Sequence, residues 1–350
     1  MKFTFTGLMG LSATFVMAGC ISGCSVGNSG ADEKISLYDQ MCNQGDGIIC
    51  TELGHIYLEG KSTAPDINKA NVSFQKACEQ SNGTGCFNLG VSYANGRGVQ
   101  KDLQIANSYY EKACNLNNGE ACFNLGSNYV NSDGVMKDYH KANAYYEKAC
   151  TLDIPDGCVS LGVSMEEGRG MDQDFIKALS LYNHACDLKD GIGCFNAGVM
   201  FDNGRGVKQD YRLANNYFET ACSLGEGSAC FNLGIANIQG KGTTPNNYEK
   251  ANAYYEKACD LKVGSGCANI GHSYEKGLGV PQDFVTAYAF YDRGCNLKNE
   301  ESCMNMAAAF ANGSGVTQDL GTAKTYFRKA CNIGAIHGCE HFEELRQQGY

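Results

Sequence analysis

The chain has 350 residues and a formal net charge of −10, from 38 acidic against 28 basic side chains, a balance that excludes a nucleic-acid phosphate backbone as partner. With 43% hydrophobic and 19% charged residues it is a folding chain, not a disordered one. Twenty cysteines, 44 glycines, four prolines and no tryptophan exclude an average cytosolic enzyme and point to an oxidising compartment where disulfides persist.

At the N-terminus, Lys2 is followed by a mostly apolar stretch from Phe3 to Met17, then by small residues and a cysteine. A basic start, a short apolar region and a small-residue exit predict an export signal over residues 1–24, too short for a spanning anchor. Two exits resemble a bacterial lipobox, Met17-Ala18-Gly19-Cys20 and Ile21-Ser22-Gly23-Cys24, which makes Cys20 and Cys24 lipidation candidates; plain secretion with cleavage near Ala18 is the alternative. The predicted location is the periplasm, the outer membrane as a lipoprotein, or the exterior, and the membrane is met only through such a lipid. Residues 25–34 read as a short linker and 35–350 as one domain.

Beyond residue 24 the cysteines fall at 42/50, 78/86, 114/122, 150/158, 186/194, 222/230, 259/267, 295/303 and 331/339, each pair eight positions apart. Successive pairs are 36 positions apart, except for one step of 37 between Cys222 and Cys259. Such a period marks a solenoid of stacked units, not several globular domains. Within one unit, Cys86, Leu89 and Tyr93 recur at helical spacing, Gly96 and Gly98 end that helix, and Asp102 stands where a second helix needs its N-cap. That second helix carries Ala106, Tyr110 and Ala113 on one face. Asp138, Asp174, Asp210, Asp283 and Asp319 repeat the cap, and the extra residue of the sixth unit falls in a loop at 242–247 that holds Pro245.

This pattern resembles the Sel-1-like repeat, a relative of the tetratricopeptide repeat, and its cysteine-reinforced form resembles the Helicobacter cysteine-rich protein family. The resemblance spans roughly residues 33–350. Departures are Ser62 and Ser132 for loop glycines, Ala307 for the glycine of Leu-Gly, and Asn246/Asn247 for the capping Asp. The predicted fold is an all-α, right-handed αα-solenoid of eight helix pairs (Cys50–Cys78 through Cys303–Cys331), with a half unit before Cys42 and a capping helix after Cys339.

One cysteine of each pair ends a helix and its partner begins the next, so the expected bridges are Cys42–Cys50, Cys78–Cys86, Cys114–Cys122, Cys150–Cys158, Cys186–Cys194, Cys222–Cys230, Cys259–Cys267, Cys295–Cys303 and Cys331–Cys339. Closing so short a loop is worth about 2.5 kcal/mol in the chain-entropy model. Zinc sites favour C-x2-4-C pairs converging as four ligands, so no metal and no cofactor are expected. Lipidation at Cys24 leaves no odd thiol, whereas lipidation at Cys20 leaves Cys24 unpaired.

The family resemblance implies a β-lactamase-like protein that binds, and slowly hydrolyses, β-lactam or peptidoglycan-like amides. The residues nominate no catalyst. S-x-x-K occurs at Ser73–Lys76 and Ser273–Lys276, in different repeat slots and without the partner motifs of a serine β-lactamase. The histidines are scattered; His337 and His341, flanking Cys339, lie close enough in sequence to approach each other.

A binding surface reads more clearly. Asn88, Asn124, Asn196, Asn232, Asn269 and Asn305 stand two positions after a helix-starting cysteine, with Asn128, Asn131 and Asn203 further along the same face. Asparagine is a mediocre helix former, so its recurrence needs a reason. In tetratricopeptide-like solenoids the first helices line the concave face, where an amide ladder suits an extended peptide or a glycan; bridging between neighbouring helices is the structural alternative. A second row, Lys61, Arg97, Arg169, Arg205 and Lys241, occupies the G-x-G turns, either as an anion-reading rim or as solvated turn charges. Phe87, Phe123, Phe195, Phe231 and pairs such as Tyr109-Tyr110 read as packing. Two functions follow: the β-lactam reading implied by resemblance, and a non-catalytic scaffold whose Asn-lined groove holds a peptide, a peptidoglycan fragment or a host protein.

Overall fold

A computed structural model describes residues 29–60 and 64–350. The candidates Cys20 and Cys24 and the turn residue Lys61 lie outside the described residues. The described chain is all helical. After α1 (Ser29–Asn43) come the even helices α2 (Gly47–Glu59), α4 (Gly83–Asn95), α6 (Gly119–Asn131), α8 (Pro155–Glu167), α10 (Gly191–Asn203), α12 (Gly227–Gln239), α14 (Gly264–Lys276) and α16 (Glu300–Asn312). They alternate with the odd helices α3 (Ile67–Glu79), α5 (Leu103–Asn115), α7 (Tyr139–Thr151), α9 (Phe175–Asp187), α11 (Tyr211–Ser223), α13 (Tyr248–Asp260), α15 (Phe284–Asn296) and α17 (Leu320–Asn332), and α18 (Ile336–Gln347) closes the stack. Helix α1 begins at Ser29, inside the stretch read as a linker.

Local chemistry explains the repetition. The Asp102 carboxylate accepts from the backbone N–H groups of Gln104 and Ile105 at 2.9 and 3.0 Å, satisfying donors that a helix start leaves unpaired. Asn247 performs the same role for α13, accepting from Lys250 N–H, so the extra residue is absorbed before the helix begins. Ser132 holds the left-handed cap of α6 at φ 66°, in the place that glycine fills in the other repeats. The second glycine of the G-x-G turn is required by proximity: a Cβ on Gly134 would lie 2.6 Å from Leu103 Cβ, because each turn sits on the start of the preceding odd helix.

Helix pairs close on one another through small residues. Ala106, Ala142, Ala178, Ala214 and Ala251 are fully buried in the odd helices. The glycine of Leu-Gly lets an aromatic lie against even-helix backbone, since a Cβ on Gly126 would stand 2.8 Å from the Tyr146 ring. Farther out, Tyr93 stacks on Tyr109, Tyr129 on Tyr145 and Phe201 on Tyr217, with interplanar angles of 14°, 9° and 10°. No central core forms; hydrophobic clusters such as that around Cys114, Cys122 and Leu125 each join neighbouring repeats. Disulfides join the nine cysteine pairs across the short odd-to-even turns, so each bridge links one repeat to the next.

A polar ladder registers the stack. Asn71, Asn107, Asn143, Asn215 and Asn252 are buried in the odd helices and donate their amides to the carbonyls of Arg97, Asp133, Arg169, Lys241 and Leu278, at 2.7–2.8 Å. Tyr288 replaces this donor with its hydroxyl to Ser314 O, and Leu179 provides none. Even helices also touch the next even helix, as α2 does α4, α8 does α10 and α14 does α16. Apart from α1 and α3 at the N-terminal end, it is the even row that crowds against itself, as the inner row of a curved stack does, so the even helices line the concave side. Among the described residues no helix is long and apolar enough to cross a membrane.

Candidate binding surface

The asparagine row lies on the even helices, and its members differ in what they touch. Asn88, Asn124, Asn196, Asn232, Asn269 and Asn305 are all half-buried. Asn88 Nδ2 lies 3.2 Å from His55 Nε2 of the preceding even helix, and Asn269 donates to Ser265 O within its own helix. Asn128 is structural: it donates to Asn107 Oδ1 at 2.6 Å, locking the ladder residue that in turn holds Asp133 O. Asn131 and Asn203 are exposed at the ends of their helices. Asn124, Asn196, Asn232 and Asn305 make no side-chain hydrogen bond to another described residue, so four equivalent amides remain available along the inner row.

Turn cations close the edge of this row instead of forming an anion rim. Arg205 Nη1 meets Glu166 Oε1 at 2.5 Å, Lys241 Nζ lies 3.8 Å from Asp202 Oδ2, and Arg169 pairs with Glu167; among the described turn cations only Arg97 pairs with no carboxylate. Glu166 also accepts from Tyr182 OH at 2.9 Å, and burial together with that carboxylate pushes the Tyr182 phenol well above its ordinary range. Glu275 is arranged alike: burial raises its carboxyl, but hydrogen bonds from Lys276 and Tyr291 outweigh it and hold the group below its ordinary value. These carboxylates are spent on fixed ion pairs. Asp156, at the start of α8, is raised by burial and by the nearby Asp190.

The serine motifs do not assemble. Ser73 is buried with its hydroxyl donating to Lys69 O, while Lys76 reaches Asn43 Oδ1 at 2.6 Å; Ser273 is buried and Lys276 is held by Glu275. His337 and His341 do not pair with each other, since each faces its own carboxylate, Glu340 at 2.9 Å and Glu344 at 3.0 Å. One constellation escapes sequence spacing. His184 comes from the next odd helix and sets Nδ1 3.7 Å from the sulfurs of both Cys150 and Cys158. Two open depressions occur on turns, one around Met41, Asp46 and Asn82 and one around Phe201, Asp210 and Tyr211; neither includes the asparagine row.

Models of the Sel1 repeat match residues 50–82, 84–118, 119–154, 155–190, 191–226, 227–263, 264–299 and 300–334 in unbroken register. The chain belongs to the Sel1 repeat family. Among solved structures, this Sel1 repeat protein is similar to c5321, a protective antigen of uropathogenic Escherichia coli with an SLR fold: 22% identity over 90% of this chain and 68% of that one, TM-score 0.76. It is equally similar to a Sel1 repeat protein from Oxalobacter formigenes, at 23% identity over 91% of this chain and 92% of that one, TM-score 0.75. Both likenesses show the solenoid fold. Helicobacter pylori cysteine-rich protein B is 34% identical over 39% of this chain and 98% of its own, TM-score 0.32. No curated protein sequence matches the chain. Nine disulfides suit this Sel1 repeat protein to an oxidising, extracytoplasmic setting.

Proposed function

We propose that this protein is an exported binding scaffold that holds an extended polypeptide segment along the concave row of even helices. The observation that carries the reading is the set of four amides, on Asn124, Asn196, Asn232 and Asn305, that recur at equivalent positions with no side-chain hydrogen bond to another described residue. Each offers a donor pair and an acceptor, the complement of a peptide group. An extended segment would meet these amides on α6, α10, α12 and α16, which gives affinity through the backbone and leaves side-chain selection to the residues between. Residues 1–24, with Cys24 or Cys20 as the lipid-bearing residue, serve export in the same reading. A peptidoglycan stem peptide and a host protein segment share the required chemistry.

The test is a peptide selected from a random-sequence library by the wild-type protein. The triple variant Asn124→Ala, Asn196→Ala, Asn232→Ala should lose that binding while its melting temperature holds or rises, because alanine is the better helix former. Unchanged binding, or collapse of the fold, would overturn the proposal. Hydrolysis of β-lactams rests on the resemblance to the Helicobacter cysteine-rich proteins alone, and turnover of a chromogenic cephalosporin by metal-free protein decides it.

A further inference from the structure

Among the described residues Cys150–Cys158 is the one disulfide with an imidazole resting on both of its sulfurs. His184 Nδ1 is 3.7 Å from both sulfurs, and its far nitrogen, Nε2, is 3.2 Å from Asp153 Oδ1. In five other repeats the residue two positions before the cysteine is lysine, and Arg293 or Thr220 stands there in two more. Those long cations reach past the bridge: Lys76 to Asn43 Oδ1, Arg293 to Asp260 Oδ1, Lys329 to Asn296 Oδ1. The shorter imidazole stops over the sulfurs and is held there by the Asp153 carboxylate.

We propose that Cys150, Cys158 and His184 form a redox-gated site for a thiophilic divalent cation of the zinc class, closed while the disulfide is intact and opened by its reduction. The three donor atoms come from three helices and lie within 4.8 Å of one another, a grouping that recurs nowhere else among the described residues. In a tetrahedral zinc site, bond lengths of about 2.3 Å to sulfur and about 2.0 Å to nitrogen put neighbouring S and N ligands about 3.6 Å apart. The observed 3.7 Å separations already match that edge, so only the two sulfurs must part, to about 3.8 Å. Asp153 on the far nitrogen is the outer partner that a metal-bound histidine needs, fixing the tautomer that turns a lone pair on Nδ1 toward the sulfurs. The His184 side chain is 42% exposed, leaving a solvent-facing side for a fourth ligand, water.

The opening step balances with an external dithiol as reductant. Its own S–S bond forms as the Cys150–Cys158 bond breaks, two electrons pass to the protein, and two protons come to rest on the freed thiols. The metal then displaces those protons and takes up the thiolates. Because the imidazole and the ion stabilise the thiolate form, this bridge is the first of the nine to open at equilibrium. The inference is independent of the groove reading.

The experiment treats the full-length protein with one equivalent of a resin-bound dithiol, maps free thiols by alkylation and peptide mass spectrometry, and titrates with Co2+ as a spectroscopic probe. The expected result is alkylation concentrated on Cys150 and Cys158, and one Co2+ bound with thiolate charge-transfer bands. His184→Lys, which installs the residue of the other repeats and so preserves the fold, should weaken Co2+ binding by at least about tenfold, the scale on which even outer partners of a metal-bound histidine act. Asp153→Asn should weaken it by about the same factor or less. Alkylation spread evenly over the nine pairs, or equal Co2+ affinity in wild type and His184→Lys, would overturn the proposal.

Discussion

The buried side-chain amide of Asn143 in one repeat donates to the backbone carbonyl of Arg169 in the next, 2.7 Å away. The same hydrogen bond recurs along the stack and pins each G-x-G turn to the preceding odd helix, so the pitch of the solenoid is set by a side chain as well as by packing. Asn143→Leu leaves the carbonyl of Arg169 without its partner and should cost about 1–3 kcal/mol. Asn107→Leu should cost more, because it also strands the amide of Asn128. Urea denaturation, read at the transition midpoint, checks both. Leu179 shows that a single rung can be missing, so the variants should fold.

Two glycine substitutions should move stability in opposite directions. Gly126→Ala drives a methyl to 2.8 Å from the Tyr146 ring, and overpacking of this kind costs about 1–3 kcal/mol. Gly321→Ala meets only Asp319 Oδ1 at 3.3 Å on the exposed start of α17, and should gain up to about 1 kcal/mol from helix propensity. Paired thermal melts decide whether the Leu-Gly glycine is kept for closeness, as argued, or for flexibility.

The third staple, Cys114–Cys122, should be worth about 2.5 kcal/mol, since both cysteines are fully buried and the ring they close is short. The double variant Cys114→Ser, Cys122→Ser should lower the denaturation midpoint by that amount or more, as two hydroxyls replace a buried bridge. A loss near zero would show that neighbouring repeats alone hold the hairpin.

His55 gives the stack a mild acid sensitivity. Burial lowers its pKa below the ordinary value of 6.5, and this outweighs the opposing pull of Glu59 and Glu52. A histidine depressed in the folded state takes up protons first in the unfolded chain, so its contribution is fully present above pH 6.5 and shrinks as the pH falls through the window below it. Wild type should therefore lose more melting temperature between pH 7.5 and pH 5 than His55→Gln does. An equal loss would remove His55 as the cause.

Much of this architecture is legible in the chain because its punctuation is chemical. Asp102 and its counterparts cap, glycine or Ser132 terminates, and the cysteine spacing gives the period; none of these depends on distant contacts. What escapes notice is which polar residue points where. The buried ladder that begins with Asn71 and Asn107 recurs at the same 36-residue interval as Asn88 and Asn124, and periodicity alone cannot separate a buried amide from a half-buried one. The clue lay beside it, since each ladder asparagine directly follows a fully buried alanine such as Ala70 or Ala106. His184 was invisible for another reason: spacing along the chain cannot bring a residue 26 positions away onto Cys158. Only the stacking of α9 beside the α7–α8 hairpin does that.

The position of the disulfides also decides how the chain responds to being cut. Every odd-to-even turn lies inside a covalent ring of its own, so a protease that nicks it leaves both sides tethered and the stack intact. The even-to-odd loops lie outside any ring, and one of them offers the side chain of Met136 at 88% exposure. In a protease-rich exterior such a molecule fails only by severance between rings, into blocks that keep their staples, and its lifetime is set by the loops that no disulfide encloses.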